Sequence, residues 1–221
     1  MNRAFRVLLL PFLIASPIIL ASLSPSTFFH NVRCVAWFVL MVLGLAFENY
    51  LVHPSSVASS NTDEQKKRDR RTFELAALTN IACYYLPVYD YLHISALLPR
   101  TGPIVLVGFA LMIFGEGMRV AALLTLGRFF TMRVAVLDGH QVVDRGLYAF
   151  VRHPAYTGWF VLSLGVALFF GSIIGLIGTA LFVIVIGLRV VAEERALRTD
   201  LGDAYVTYSD RVRYRFIPWV F

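Results

Sequence analysis

Two ionisable residues stand four positions apart near the end of a long apolar segment. Arg189 and Glu193 close the apolar run that begins at residue 173, and their spacing places both on one face of an α-helix. An ionised side chain within such a run is energetically costly and usually serves a function. The pattern therefore indicates a binding or catalytic role. The alternative for Arg189 is a side chain that extends to the lipid headgroups.

A second pair of charged residues has a similar position in another apolar segment. Glu116 and Arg119 are three residues apart near the end of the run that begins at residue 103. This spacing also places both side chains on one helix face. Taken alone, the spacing favours a structural ion pair, and a place in the same functional site is the alternative.

The stretch between residues 125 and 155 is too polar to span a bilayer and is rich in Gly, Asp, Arg, His and Tyr. Between membrane helices, such a segment must be solvated or must fold against the helix ends. Its last part, Arg152-His153-Pro154, could also be an interfacial turn, because proline is well tolerated at the first position of a helix.

The elements that must position these residues are apolar helices. The chain has 221 residues, of which 58% are hydrophobic and 15% charged, whereas soluble domains have about 25% charged residues. The apolar residues form runs close to the roughly 20 residues that a membrane helix needs. We predict an all-α integral membrane protein whose last two helices form a hairpin around Gly171-Ser172. The six predicted helices cover residues 5–23, 33–52, 73–92, 103–124, 156–170 and 173–191.

The distribution of arginine and lysine predicts the orientation in the membrane. With both termini in the cytosol, nearly all basic residues lie on the cytosolic side, as the positive-inside rule requires. Only Arg33 and Arg100 then fall on the far side. We divide the chain into N-terminal membrane helices (1–102), with a cytosolic loop at 53–72, and a catalytic core (103–221).

The composition also argues against a nucleic-acid partner and against sites built from cysteines. The net charge of +6 comes from basic residues that flank the apolar runs, so it does not indicate a nucleic-acid partner. The two cysteines, Cys34 and Cys83, lie far apart within apolar segments. This excludes a disulfide framework and a cysteine-rich zinc site, and we expect no metal.

In the predicted topology, the ends of the fourth and sixth helices, the 125–155 segment and the C-terminal tail meet on the cytosolic side. The result is a polar pocket at the membrane interface. Such a pocket can admit a soluble cofactor from the cytosol and an apolar substrate from the bilayer.

An ordered set of motifs extends from Arg119 to the C-terminus. In chain order they are Arg119-x-x-Ala122 with Leu126-Gly127-Arg128-Phe129-Phe130-Thr131, His140-x-Val142-Val143-x-x-Gly146-Leu147-Tyr148, Arg152-His153-Pro154-x-Tyr156-x-Gly158, Glu193-Glu194-x-x-Leu197, Gly202-x-x-Tyr205-x-x-Tyr208 and Arg215-Phe216-Ile217-Pro218.

This set resembles the isoprenylcysteine carboxyl methyltransferase family. The resemblance implies a multi-pass enzyme that binds S-adenosylmethionine between helix ends, without a Rossmann domain, and acts on a prenylated acceptor among membrane lipids. In agreement, the sequence has no Gly-x-Gly-x-x-Gly motif after a strand. It further implies substrate-binding roles for Arg119 and Arg189, and catalytic roles for Arg189 and Glu193. The implied cofactor-binding residues are His140, Val143, Leu147, Tyr148, His153, Tyr156 and Glu193.

The expected reaction is methyl ester formation on the carboxylate of a C-terminal isoprenylcysteine. A carboxylate is ionised at neutral pH, so no general base is required. Arg189 could clamp it with two hydrogen bonds. The membrane is expected to be the endoplasmic reticulum in a eukaryote or the inner membrane in a bacterium.

Three alternatives remain open at this stage. The acceptor could be a small thiol or a phospholipid amine, for which His140 or His153 could serve as the base. The C-terminal part also resembles sterol reductases, which would make the protein an oxidoreductase. Finally, the fold could serve as a scaffold without enzymatic activity.

Overall fold

The computed structural model describes residues 25–51, 63–94, 97–130, 139 and 141–216, and over these residues the chain is all-helical, with no β-strand. The predicted fold class is confirmed to this extent. The predicted first helix (5–23) and His140 lie outside the described residues. Seven α-helices are described: α1 (Pro25–His30), α2 (Val32–Leu51), α3 (Asp63–His93), α4 (Pro103–Leu126), α5 (Pro154–Phe170), α6 (Ile173–Leu201) and α7 (Asp203–Arg211).

The other five predicted helices are present, but two of them are longer than predicted. Helix α3 begins at Asp63, ten residues before the predicted start, so the prediction of a loop was wrong for residues 63–72. This stretch is rich in Glu, Gln, Lys and Arg, which favour helix, and its acidic residues at the start suit the helix dipole. Helix α6 continues ten residues past 191 and ends only where Gly202 adopts a positive φ of 55°.

Helices α4 and α5 are in direct backbone contact. A Cβ atom added to Gly115 of α4 would lie 2.5 Å from the backbone nitrogen of Leu162. One added to Gly165 of α5 would lie 2.6 Å from the backbone nitrogen of Met112. Small residues at these positions let the two helices approach closely, as in other membrane helix pairs.

The predicted hairpin between α5 and α6 turns at Gly171 and Ser172. Gly171 has a φ of 62°, in the left-handed region where glycine has no steric cost. The hydroxyl of Ser172 accepts a hydrogen bond from the backbone nitrogen of Gly175 at 2.9 Å and so caps α6.

Two described helices are long and apolar enough to cross a membrane, judged by length and composition. They are Pro103–Phe129, with a mean hydropathy of 1.8, and Ile173–Leu201, with 2.5. Helix α5 is apolar but shorter. Large apolar side chains such as Phe114, Leu181 and Leu188 are exposed on these helices, as expected for surfaces that face lipid. The count of six spans stays a prediction.

Candidate active site

A chain of hydrogen bonds joins Arg189 to Glu193 through Tyr156. The Nε atom of Arg189 donates to the hydroxyl of Tyr156 at 2.8 Å, and that hydroxyl donates to Oε2 of Glu193 at 2.9 Å. The guanidinium also lies over the ring of Phe73, with Cζ 5.3 Å from the centroid. Arg189 is only 4% exposed. The two charged residues of α6 therefore share one phenol from the first turn of α5.

His153 lies between two neighbouring carboxylates of α6. Its Nδ1 is 3.9 Å from Oε2 of Glu193, and its Nε2 is 3.5 Å from Oε1 of Glu194. The ring stacks on Tyr156 with 5.7 Å between centroids. Within the described part of the chain, Nε2 is buried and has no hydrogen-bond partner. The group nearest to this nitrogen is therefore the carboxylate of Glu194, at a distance longer than that of an ordinary hydrogen bond.

Arg152 fixes the segment 212–216 against α6. Its Nε donates to Oε1 of Glu194 at 2.6 Å, and its Nη1 donates to the carbonyl oxygen of Val212 at 2.8 Å. Arg215 donates to the second carboxylate oxygen of Glu194 at 3.1 Å. The backbone nitrogen of Arg152 donates to the carbonyl oxygen of Tyr214 at 2.9 Å. The buried carboxylate of Glu194 is thus paired with two guanidiniums, which offsets its desolvation.

The segment 143–149, which comes just before Arg152, is in contact with α7. Tyr148 lies in a short 3-10 helix (Gly146–Ala149) and is buried, and its carbonyl oxygen accepts a hydrogen bond from the hydroxyl of Tyr208 at 2.8 Å. Burial, followed by the nearby carboxylate of Glu193, raises the pKa of Tyr148 well above its usual value. Leu147 and Val143 are half-buried in the same segment.

The guanidinium of Arg119 is held on three sides. Its Nε and Nη2 donate to the two carboxylate oxygens of Glu48, the latter at 2.7 Å, and Nη1 donates to the carbonyl oxygen of Ala155 at 3.2 Å. Its Cζ lies 3.9 Å from the centroid of the Trp159 ring. Gly158 leaves room for the side chain, because a Cβ there would lie 2.7 Å from Cγ of Arg119. Arg119 therefore links α2, α4 and the start of α5.

The predicted ion pair between Arg119 and Glu116 was wrong. Among the described residues, the carboxylate that pairs with Arg119 is that of Glu48. The carboxylate of Glu116 instead lies against α2, where a Cβ on Gly44 would be 2.6 Å from its Oε1. A shared helix face makes such a pair possible, but a carboxylate on a neighbouring helix has a better geometry.

Three aromatic rings form a stack along one face of α5. His153 stacks on Tyr156, and Tyr156 stacks on Trp159 with 5.9 Å between centroids. The stack connects the buried His153 to the guanidinium of Arg119. The spacing of three residues is visible in the sequence, but the sequence motifs do not reveal Trp159, Glu48 or Phe73 as neighbours of the site. An acidic residue within the apolar run 33–52 was a usable signal for Glu48.

Part of the chain is similar to a known enzyme family. Residues 106–199 match the sequence profile of the isoprenylcysteine carboxyl methyltransferase (ICMT) family. The protein-S-isoprenylcysteine O-methyltransferase B of Arabidopsis thaliana is 33% identical over 108 residues, which are 48% of this chain and 55% of that protein. The protein-S-isoprenylcysteine O-methyltransferase of Xenopus laevis is 27% identical over 183 residues, 80% of this chain and 61% of that protein. The chain thus spans about half the length of such curated relatives.

A solved structure shares the fold. The eukaryotic intramembrane Ras methyltransferase ICMT superposes with a TM-score of 0.52 and 21% sequence identity, over 100% of this chain and 88% of that one. The profile match covers Arg119, His153, Tyr156, Arg189 and Glu193. The predicted resemblance is therefore confirmed: residues 106–199 match the isoprenylcysteine carboxyl methyltransferase family.

Proposed function

We propose that this protein is an S-adenosylmethionine-dependent carboxyl methyltransferase that acts on a lipophilic acceptor, the carboxylate of a C-terminal isoprenylcysteine. The observation that carries the proposal is the hydrogen-bond chain from the buried Arg189 through Tyr156 to Glu193. It joins Arg189, a side chain that can bind a carboxylate, to Glu193, a side chain that can bind a cation, where the apolar part of α6 ends. The names of the relatives support the same acceptor.

The residues present fit S-adenosylmethionine, which carries a cationic sulfonium, an amino acid end and hydroxyl groups. The carboxylate of Glu193 and the stacked rings of His153 and Tyr156 attract a cation. Nε2 of His153 and the hydroxyl of Tyr205 are buried and make no hydrogen bond in the described part of the chain. Burial, and then the charge of Glu194, raise the pKa of Tyr205, which therefore remains a neutral donor.

The predicted cofactor residues divide into two groups in this proposal. Tyr148, His153, Tyr156 and Glu193 are linked to one another by contacts or by charge, and they form the wall of the cofactor site. The segment that leads to them supplies the rest of the predicted set, namely His140, Val143 and Leu147.

When bound, S-adenosylmethionine supplies an electrophilic methyl group, and the electron pair of the broken bond stays on sulfur. Arg189 binds the acceptor carboxylate and directs one oxygen toward the cofactor site. Tyr156 holds the guanidinium in place, so that its position is fixed before the acceptor binds. The acceptor is already ionised at neutral pH, so no side chain has to remove a proton. The low exposure of Arg189 keeps water from competing for it.

The apolar part of the acceptor reaches this site from the bilayer. Leu188, directly before Arg189, is 63% exposed, and Ile184 one turn earlier is 62% exposed. An acceptor chain lying along this face of α6 keeps its hydrocarbon in an apolar environment while its carboxylate enters the polar end.

Arg119 acts as a positioning residue in this proposal, although the family resemblance implied a substrate-binding role. Its guanidinium is occupied by Glu48, Ala155 and Trp159. By holding the first turn of α5, Arg119 keeps His153 and Tyr156 in position beside α6.

The polar end of the bundle, together with both termini, faces the cytosol, where S-adenosylmethionine is available.

Methyl transfer by the detergent-purified protein tests the proposal. With labelled S-adenosylmethionine, we expect base-labile methyl ester formation on N-acetyl-S-farnesylcysteine and none on N-acetylcysteine, which lacks the prenyl chain. A small thiol and phosphatidylethanolamine serve as competing acceptors. Binding of S-adenosylmethionine combined with methylation of only a thiol or amine would contradict the carboxylate acceptor. Folded protein that binds no S-adenosylmethionine would contradict the enzyme class.

A further inference from the structure

At the end of the bundle opposite the candidate active site, two guanidiniums converge on one aromatic ring. The Cζ of Arg100 lies 5.0 Å from the centroid of Tyr91, and the Cζ of Arg33 lies 5.6 Å from it. The side-chain amide of Asn31 donates to the hydroxyl of Tyr91 at 2.9 Å. Four separate parts of the chain, at the ends of α1, α2, α3 and α4, thus bring two cations together.

Each guanidinium has a buried nitrogen without an acceptor. Arg100 uses Nη1 and Nη2 to donate to the carbonyl oxygens of Tyr91, Asp90 and Ile94, each at 3.1 Å, but its Nε has no partner. Nη1 of Arg33 is also unpartnered. Several buried side-chain atoms in the described part of the chain have no hydrogen-bond partner, and among them only these two belong to guanidinium groups. A buried charged donor without an acceptor is costly, so these nitrogens point to a missing acceptor.

The charges of this cluster do not balance. Asp90 is its carboxylate, 3.8 Å from Nη2 of Arg100. It also accepts a hydrogen bond from the hydroxyl of Ser172 at 2.5 Å. Two guanidiniums and one carboxylate leave one positive charge among these residues. A bound anion would neutralise that charge and supply the acceptors that the two nitrogens lack.

The cluster lies at the depth of a membrane interface. Helix α5 has 17 residues and is therefore about 25 Å long. His153 precedes it at the active-site end, and Ser172 follows it at the end with the cluster. This length is close to the roughly 30 Å of the hydrocarbon core. The cluster therefore lies near the headgroups of the leaflet opposite the active site, where tyrosine is common.

We propose that Arg33 and Arg100 bind the oxyanion of a phosphate group, either in a lipid headgroup or as free phosphate. A guanidinium matches phosphate because its planar fork donates to two oxygens at once. This site goes beyond the proposed function and does not depend on it.

The variant Arg33→Gln tests the site, because the removed Nη1 has no partner in the described structure and its loss breaks no hydrogen bond there. In lipid-free detergent we expect the variant to melt at the wild-type temperature or above it. With added phosphatidylglycerol we expect the wild type to melt at a higher temperature, and the lipid to bind the variant about tenfold more weakly. Arg213→Gln, at an exposed position, is the matched control and should respond like the wild type.

Two further arms identify the source of the phosphate. Diacylglycerol, which has the same chains without phosphate, should not raise the melting temperature. Protection by inorganic phosphate alone would support free phosphate, and protection by phosphatidylglycerol alone would support a headgroup. Native mass spectrometry counts the bound lipid directly. The proposal is overturned if neither probe binds the folded wild type, or if both bind Arg33→Gln as tightly as the wild type.

Discussion

Glu48 and Arg119 pair through both oxygens of the carboxylate, although they lie 71 positions apart in the sequence. Both side chains are largely buried, and the pair lies beside the Trp159 ring. Glu48 lies before the region that matches the family, whereas Arg119 lies inside it. The geometry of the family region thus depends on a helix that precedes it.

Removal of the carboxylate of Glu48 should destabilise the protein. Glu48→Ala leaves a buried guanidinium without its partner, which typically costs about 3–5 kcal/mol. We expect a clear drop in the melting temperature in detergent, whereas Asp200→Ala, at an exposed position of α6, should melt like the wild type. The double variant Glu48→Ala/Arg119→Met should recover part of the loss. Equal stability of Glu48→Ala and wild type would show that the pair contributes little.

Arg189→Ala and Glu193→Ala should both abolish methyl transfer, but for different reasons. Arg189→Ala loses the group that binds the acceptor, so we expect it to keep its affinity for S-adenosylmethionine. Glu193→Ala should lose that affinity as well. Calorimetry of the purified variants distinguishes the two, with Arg195→Ala, exposed on the same helix, as the control. Near-normal turnover in either variant would remove the role assigned to that residue.

Tyr156→Phe should lower kcat while the fold is preserved. The variant keeps the ring that stacks between His153 and Trp159 but removes the hydroxyl that joins Arg189 to Glu193. Because Arg189 then loses the bond that fixes its position, we expect kcat to fall about 10–100-fold. Tyr89→Phe, at an exposed position of α3, should have wild-type kinetics. An unchanged kcat for Tyr156→Phe would mean that the hydroxyl does not position the guanidinium.

Two glycines of α4 should respond oppositely to alanine. At Gly115 the added methyl group meets the backbone of α5, so Gly115→Ala should destabilise by about 1–3 kcal/mol. At Gly117 nothing lies within 4 Å, so Gly117→Ala should be neutral or more stable by up to about 1 kcal/mol. Unfolding of the two variants in parallel measures the difference. A stable Gly115→Ala variant would mean that α4 and α5 can separate without penalty.

The packing of Tyr208 predicts a loss of stability at alkaline pH. Burial raises the pKa of Tyr208 above its ordinary value of about 10. A raised folded-state pKa contributes stability that is fully present below the unfolded value and is lost as the pH rises through the folded value. The melting temperature should therefore fall more between pH 8 and pH 11 in the wild type than in Tyr208→Phe. Parallel curves for the two proteins would exclude this contribution.

Helix positions were largely predictable from the sequence, because long apolar runs indicate helices directly. The first ten residues of α3 were not, because a polar helix has no apolar run and its residue types occur equally in loops. For the site, the spacing of Arg189 and Glu193 was sufficient to place them together. The spacing of Arg119 and Glu116 was misleading, because the choice between two nearby carboxylates depends on how α2 packs against α4.

The division of the chain at residue 102 remains a prediction. Contacts between side chains cross this boundary. Glu48 and Phe73 both precede that boundary, yet they contact Arg119 and Arg189. A sequence pattern within one segment cannot reveal such contacts, because they arise only when helices from different segments pack together. Helices α2 and α3 therefore contact two arginines of the candidate site.

The pairing of the segment 212–216 with Arg152 has a consequence for biosynthesis. Val151 pairs with Tyr214, and the carboxylate of Glu194 accepts hydrogen bonds from both Arg152 and Arg215. All described helices precede this segment in translation. The contacts of Arg152 and Glu194 with this segment can therefore form only after all the described helices have been synthesised and residues 212–216 have left the ribosome.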